Sequence, residues 1–140
     1  MAEYVANTIQ TVLTNQNILF TDTTVCGNNS IVHREGSGLV TLKGITTQAR
    51  ARYKITFGAN IAIPDGGTVE AISIALAVNG EPVQSTTMIT TPTATAAFNN
   101  VASSIYLDIP CSCCYQISVE NTSTQTIDVQ NANLIVERVA

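Results

Sequence analysis

Apolar and polar residues alternate along most of the chain. From Arg50 to Phe57, Ala51, Tyr53, Ile55 and Phe57 fall on one face, and Arg50, Arg52, Lys54 and Thr56 on the other. A period of two is the signature of a half-buried strand. Ile105, Leu107 and Ile109 alternate with Ser104, Tyr106 and Asp108, and Tyr115, Ile117 and Val119 with Gln116, Ser118 and Glu120. Between Val69 and Val78 a bulky face (Ile72, Ile74, Leu76, Val78) backs a small one (Ala71, Ser73, Ala75, Ala77). A strand without a charged face is expected to be covered on both sides. Its bulky side is predicted to fill the core, and its small side to admit another layer, such as a neighbouring subunit.

Turn residues punctuate these runs. Asn79-Gly80 before Glu81-Pro82-Val83 predicts a tight hairpin. Pro64-Asp65-Gly66-Gly67, Gly36-Ser37-Gly38, Gly27-Asn28-Asn29 and Asn121-Thr122-Ser123 read as loops. In the last run, Ile127 and Val129 give way to Leu134 and Val136, so parity changes near Asn131-Ala132-Asn133 and a bulge is predicted there. Ala94 to Ser103 reads as a loop and edge strand, because Asn99-Asn100 interrupts any helix. Eight to ten short strands and no convincing helix predict one all-β domain over residues 1–140, an antiparallel sandwich or barrel.

Composition narrows the function classes. The chain has 140 residues, 45% of them hydrophobic and only 11% charged, against a usual charged share of about 25%. Disordered chains are charge-rich and poor in apolar residues, so disorder is excluded. A surface of Thr, Asn, Ser, Gln and small apolar residues suits burial against other copies. The net charge is −4, and among the six cations only Arg50 and Arg52 stand close together. Nucleic-acid binding needs a basic stripe that displaces counterions, so direct nucleic-acid contact is not expected, nor is attraction to an anionic membrane. No apolar run approaches the roughly 20 residues of a membrane helix. The start, Met1-Ala2-Glu3-Tyr4-Val5, has neither a basic nor an apolar leader segment and does not read as a signal peptide.

Three segments in order, Gly36 to Leu42, Ala51 to Ile61 and Ala71 to Val83, resemble the jelly roll of the tumour necrosis factor and complement-type globular heads. In that family a strand with a central aromatic precedes a strand ending in an Asn-Gly hairpin, and the last strand returns to the centre of the inner sheet, as Leu134 to Val139 would here. The resemblance implies an antiparallel jelly-roll β-sandwich that assembles as a homotrimer. The whole chain, above all Cys26-Gly27 with Ile31 to Gly38 and the ending Val129 to Val139, is also similar to small structural proteins of phages and prophages of Gram-positive bacteria. That resemblance implies a virion component: a capsid decoration, head-fibre or minor tail protein with capsid or tail proteins as partners, released by lysis.

Chemistry candidates are few. Cys26, Cys111, Cys113 and Cys114 leave three readings open. The spacing Cys-Ser-Cys-Cys is too tight for the two separated ligand pairs of structural zinc. A disulfide between Cys26 and a clustered cysteine would form under oxidising conditions. Otherwise these are small buried thiols in a reducing compartment. His33, the only histidine, pairs with Cys26 as nucleophile and base only on paper, since no oxyanion motif or third member accompanies them. No acidic loop, opposed carboxylate pair or phosphate cradle is recognisable, and no cofactor is implied.

The expectation is therefore a non-enzymatic, self-assembling display protein. Tyr53, Phe57, Ala71, Ser73, Ala75, Ala77, Tyr106 and Tyr115 are its candidate core and subunit-contact residues, and Thr86 to Asn100 its outward loop. A receptor- or glycan-binding module touching host surface glycan, and a spore-surface structural protein, are the alternatives.

Overall fold

A computed structural model describes residues 1–27, 29–111 and 114–140. They form twelve strands: β1 (Ala2–Ala6), β2 (Gln10–Val12), β3 (Asp22–Val25), β4 (Ile31–His33), β5 (Val40–Lys43), β6 (Arg50–Ala62), β7 (Ile72–Val78), β8 (Glu81–Pro82), β9 (Met88–Thr90), β10 (Asn99–Pro110), β11 (Cys114–Asn121) and β12 (Ile127–Arg138). The only helical piece among them is a single 3-10 turn, Gln84–Thr86. One sheet runs β10-β6-β12-β1-β3, with β2 also on β12. The other runs β4-β5-β11-β7-β8, with β9 also on β7. Every pairing is antiparallel. The fold is a jelly-roll β-sandwich in which the last long strand, β12, returns to the middle of the first sheet.

The alternation seen in the sequence sets which face is inside. On β6, Ala51, Tyr53, Ile55, Phe57, Ala59 and Ile61 are all buried, and they meet Ile72, Ile74, Ile117, Val119, Leu134 and Val136 in one continuous core. Phe20 packs edge-on against Phe57 at 6.3 Å between ring centres, a favoured aromatic arrangement. The one polar tip in this layer is satisfied: the Tyr53 hydroxyl donates to the Lys43 carbonyl at 2.6 Å.

Local chemistry fixes the turns. Asn79 (φ 53°) and Gly80 (φ 84°) both take the left-handed backbone that the tightest hairpins require. Asn79 Oδ1 also accepts from the Gln116 amide at 3.0 Å, which locks the hairpin to β11. The bulge falls where parity breaks: the β12–β6 register shifts between Gln130 and Asn133, and Asn131 has φ 55°.

Three sequence expectations need correction. The strand expected from Val69 starts at Ile72, and Val69 is half exposed. Thr86 to Asn100 is not one outward loop. The Thr86 hydroxyl donates to the Val83 carbonyl at 2.7 Å and accepts from the Leu76 amide at 3.0 Å, and Met88–Thr90 continues as β9 along β7. The small-residue face of β7 is largely closed within the chain: Ala75 and Ala77 have no exposed surface, Ser73 is half-buried and bonded to Thr122, and only Ala71 is open.

Glu120 shares that covered side. It sits opposite Ala75 on β11, bridges to Asn17, and is 8% exposed. Burial pushes its carboxyl above the usual range. A carboxyl whose folded value is raised weakens the fold as pH climbs, because the unfolded chain ionises first. Glu120→Gln should therefore raise the melting temperature at pH 7 and leave it unchanged near pH 3, where the acid is neutral in both states. Thermal melts at the two pH values read this directly.

Candidate assembly surface

The outer face of the first sheet is partly open, with Val5 buried at its β1 side. Four rows of side chains cross it, set by the pairing register. Near the chain-end edge, Tyr106 lies opposite Lys54, and Lys54 opposite Glu137. Next come Ser104, Thr56, Ile135 and Glu3, then Ala102, Gly58, Asn133 and Val5, then Asn100, Asn60 and Gln130. Charges gather at one end, and the central rows are Thr, Ser, Asn, Ala, Gly, Ile and Val except for Glu3.

The polar groups on this face are mostly paired with each other. Arg52 holds Asp108 with two bonds, 2.9 and 3.2 Å, and Arg50 adds a third cationic contact at 3.5 Å. The Arg52 hydrogen bond keeps the Asp108 carboxyl below its ordinary range. Thr24 and Asn133 each donate to Glu3 at 2.7 Å, and these two bonds lower its carboxyl in the same way. Thr56 and Ser104 share a hydroxyl contact at 3.3 Å, and Asn100 donates to Asn60 at 3.1 Å. Polar groups satisfied within their own sheet cost little to cover.

Two hollows break the face. Gly58, Ala102, Thr56, Asn100, Asn133 and Ile135 surround a shallow groove of about 320 Å³. It exists because Gly58 lacks a side chain: an added Cβ would have nothing nearer than the Val101 carbonyl at 3.8 Å and Ala102 at 3.9 Å. A second hollow of about 510 Å³ lies between Arg52, Tyr106, Asp108, Val139 and Ala140. Tyr106 stands at its wall, 62% exposed. Together these give a face with a projecting aromatic and a groove that accepts a side chain.

The remaining candidates separate. Tyr53 and Phe57 are fully buried, and Tyr115 is half-buried against the core. Tyr106 alone of the aromatics is presented outward, although its parity opposite Ile105 and Leu107 already marks it so. The importance of Gly58 is not legible in the sequence, because the groove depends on Ala102 being its neighbour across β10.

Cys26 and His33 do line one cleft, about 480 Å³, with Tyr4, Glu35 and Lys43. They do not form a nucleophile–base pair. His33 Nε2 lies 2.8 Å from the Ser37 carbonyl, which can only accept, so Nε2 carries the proton. Among the described residues Nδ1 is buried without a hydrogen-bond partner, and no bond joins it to the Cys26 sulfur. The ring is held by Tyr4 at 4.4 Å and Phe20 at 6.2 Å.

The expectation of buried thiols is corrected for the described positions. Cys26, Cys111 and Cys114 are all exposed, and Cys26 and Cys111 carry free thiols. Cys26 follows the edge strand β3, whereas Cys111 leaves β10 at the opposite edge of the same sheet. Cys113 lies outside the described residues. Among the described residues, no three His, Cys, Asp or Glu side chains group to hold a metal.

No family model matches the chain, and no curated sequence matches it either. Solved structures do resemble it. The Eiger tumour necrosis factor of S. frugiperda superposes with a TM-score of 0.67 at 12% identity, covering 99% of this chain and 91% of that one. The globular domain of zebrafish complement 1qA gives 0.60 at 13%, covering 96% and 94%. Murine APRIL gives 0.58 at 8%, covering 95% and 97%. At these identities the likeness shows the fold, a jelly roll of the tumour necrosis factor and complement 1q type.

Proposed function

We propose that this chain is a structural protein that works by self-assembly and display, a homotrimer built on the outer face of the β10-β6-β12-β1 sheet, and a component of a phage particle. The observation that carries assembly is the face itself: an aromatic at 62% exposure beside an internally hydrogen-bonded band, uncharged except for Glu3, with a glycine groove. Three strand spacings of about 4.8 Å across and the thirteen residues of β6 along it outline at most roughly 600 Å². A standard specific interface covers about 800 Å² on each partner, so this face supplies most of one. Shape and burial drive such contacts at about 25 cal/mol per Å² of apolar area, less the cost of association. Three copies are favoured because the fold is the one whose resemblance implies trimers.

The particle assignment rests on the resemblance of Cys26 to Gly38 and Val129 to Val139 to phage structural proteins. In this role the chain does no chemistry: it holds neighbouring capsid or tail proteins and presents loops to a host. Light scattering of the purified protein under reducing conditions is expected to give three times the 14.8 kDa chain mass, and a monomer at micromolar concentration would refute the assembly. Peptide mass mapping of purified particles induced from a lysogen carrying the gene is expected to find the chain in stoichiometric amount. Particles without it would refute the virion role while leaving the trimer standing.

A further inference from the structure

Glu3 is the one charge in the central rows of the assembly face, and no basic side chain stands beside it. Its own row holds Ile135, Thr56 and Ser104. The charged groups that face it from β3 and β12 are both acids: Asp22, opposite Val5 in the next row, and Glu137, in the row on the other side. Lys54, the basic side chain nearest to it on this face by register, stands opposite Glu137 on β6, two strands from β1. Among the described residues, the ion pairs join Asp108 to Arg50 and Arg52 only. A neighbour that covers this face strips the remaining water from the Glu3 carboxylate. Burying a charge without an opposite partner is so costly that the group takes up a proton instead, and two acids nearby push the same way.

The bonds around Glu3 serve either state. With the acid ionised, the Thr24 hydroxyl donates to Oε1 and the Asn133 amide to Oε2, each at 2.7 Å. With Oε1 protonated, the first bond reverses. Oε1 then donates to the Thr24 oxygen, and the Thr24 proton turns to the Glu3 carbonyl, 3.4 Å away. Asn133 keeps its bond to Oε2 throughout, so the neutral form leaves none of these groups unpaired. We propose that Glu3 is a proton switch in the assembly face: each copy takes up a proton there as its face is covered, so the trimer tightens in acid and loosens as pH rises. The inference rests on the trimer reading above. A carboxyl that binds its proton more tightly in the assembly than in the free chain favours assembly below its free-chain value, and the advantage fades as pH rises through the assembled value. Asp108, on the same sheet, has Arg52 to hold it ionised and takes no part.

The test is light scattering of the full chain in reductant, over a dilution series at pH 4.5 and pH 7.5 and one ionic strength, beside Glu3→Gln. Glutamine mimics the neutral acid, because its amide donates to Thr24 and its oxygen accepts from Asn133. For the unsubstituted chain, the concentration at which half the protein is trimeric should be at least about tenfold lower at pH 4.5 than at pH 7.5. Glu3→Gln should assemble at pH 7.5 as tightly as the unsubstituted chain does at pH 4.5. Other acids act alike in both proteins, so the difference between them reads Glu3, and circular dichroism verifies the sheet at each pH. Where the protein stays trimeric at the lowest concentration read, the same pair is compared in a Tyr106→Ala background. Equal pH dependence in the two proteins overturns the switch and spares the assembly. A Glu3→Gln protein that assembles more weakly at pH 7.5 also overturns it, since a neighbour then pairs with the ionised carboxylate. A monomer at both pH values removes the assembly itself.

Discussion

Gly58→Phe should turn the assembled protein into a monomer of 14.8 kDa while leaving the fold intact. The expectation follows from what surrounds that glycine. Its φ is not positive, its Cα faces the groove, and a Cβ there meets only ordinary contacts at 3.8 and 3.9 Å. The isolated chain has room for the ring. Replacing a strand-interior glycine should even stabilise the monomer, by about 0.5–1 kcal/mol, since glycine loses most backbone entropy on folding. A partner seated over the same groove has no such room, and overpacking a close contact costs about 1–3 kcal/mol at each copy. Tyr106→Ala tests the same face by removal. An exposed aromatic that becomes a buried anchor is worth about 2 kcal/mol per contact, roughly 30-fold in affinity. Light scattering across a dilution series, with circular dichroism to verify the sheet, measures both. A Gly58→Phe protein that keeps the full assembly mass would show that contacts form elsewhere.

The two substitutions also mark where sequence reading ends. Strand parity is legible wherever one face is buried, so β6 and β10 can be read from Arg50–Phe57 and Ser104–Ile109 directly, whereas β11 is legible as a strand but not in its burial, since Ser118 and Glu120 on its polar side are buried too. Asn79-Gly80 and Asn131 are legible because positive φ restricts the residue type. What crosses between strands is not. Ala75 and Ala77 look like a docking stripe along the chain, yet they are closed within it. The cysteines look like one cluster plus an outlier, and the register instead sets Cys26 and Cys111 at opposite edges of one sheet. Gly58 has meaning only beside Ala102, 44 residues away. Pairing register carries all of these, and no local pattern encodes it.

Asn121 shows the same limit at the level of stability, and Asn121→Ala should cost about 3–5 kcal/mol. In the sequence it opens a polar turn. In the fold it has no exposed surface and spends its whole side chain on backbone. Its Nδ2 donates to the Val12 carbonyl at 3.0 Å and to the Gln125 carbonyl at 3.1 Å, while Oδ1 accepts from the Ser123 amide at 2.9 Å. Its own backbone binds Asn15 and Gln16, each at 2.9 Å. Ser123, held in place by it, passes the connection on to β7 through Ser73 at 2.7 and 2.9 Å. One residue thus ties the chain's early segment to β11 and β7. Alanine strands the buried Val12 carbonyl, the partly buried Gln125 carbonyl and the Ser123 amide, and each unsatisfied buried group costs about 1–3 kcal/mol. Asn121→Asp separates hydrogen bonding from size. It keeps the acceptor for Ser123 but turns an oxygen toward two carbonyls, and it buries a charge. Near neutral pH it should be at least as damaging as alanine, and part of the loss should return in acid, where the protonated carboxyl donates again. Denaturant unfolding at one fixed chain concentration, or in the monomeric Gly58→Phe background, keeps association out of the measurement. A loss below about 1 kcal/mol for Asn121→Ala would mean that water replaces these bonds at no cost, and that the tie between the segments lies in the apolar core instead.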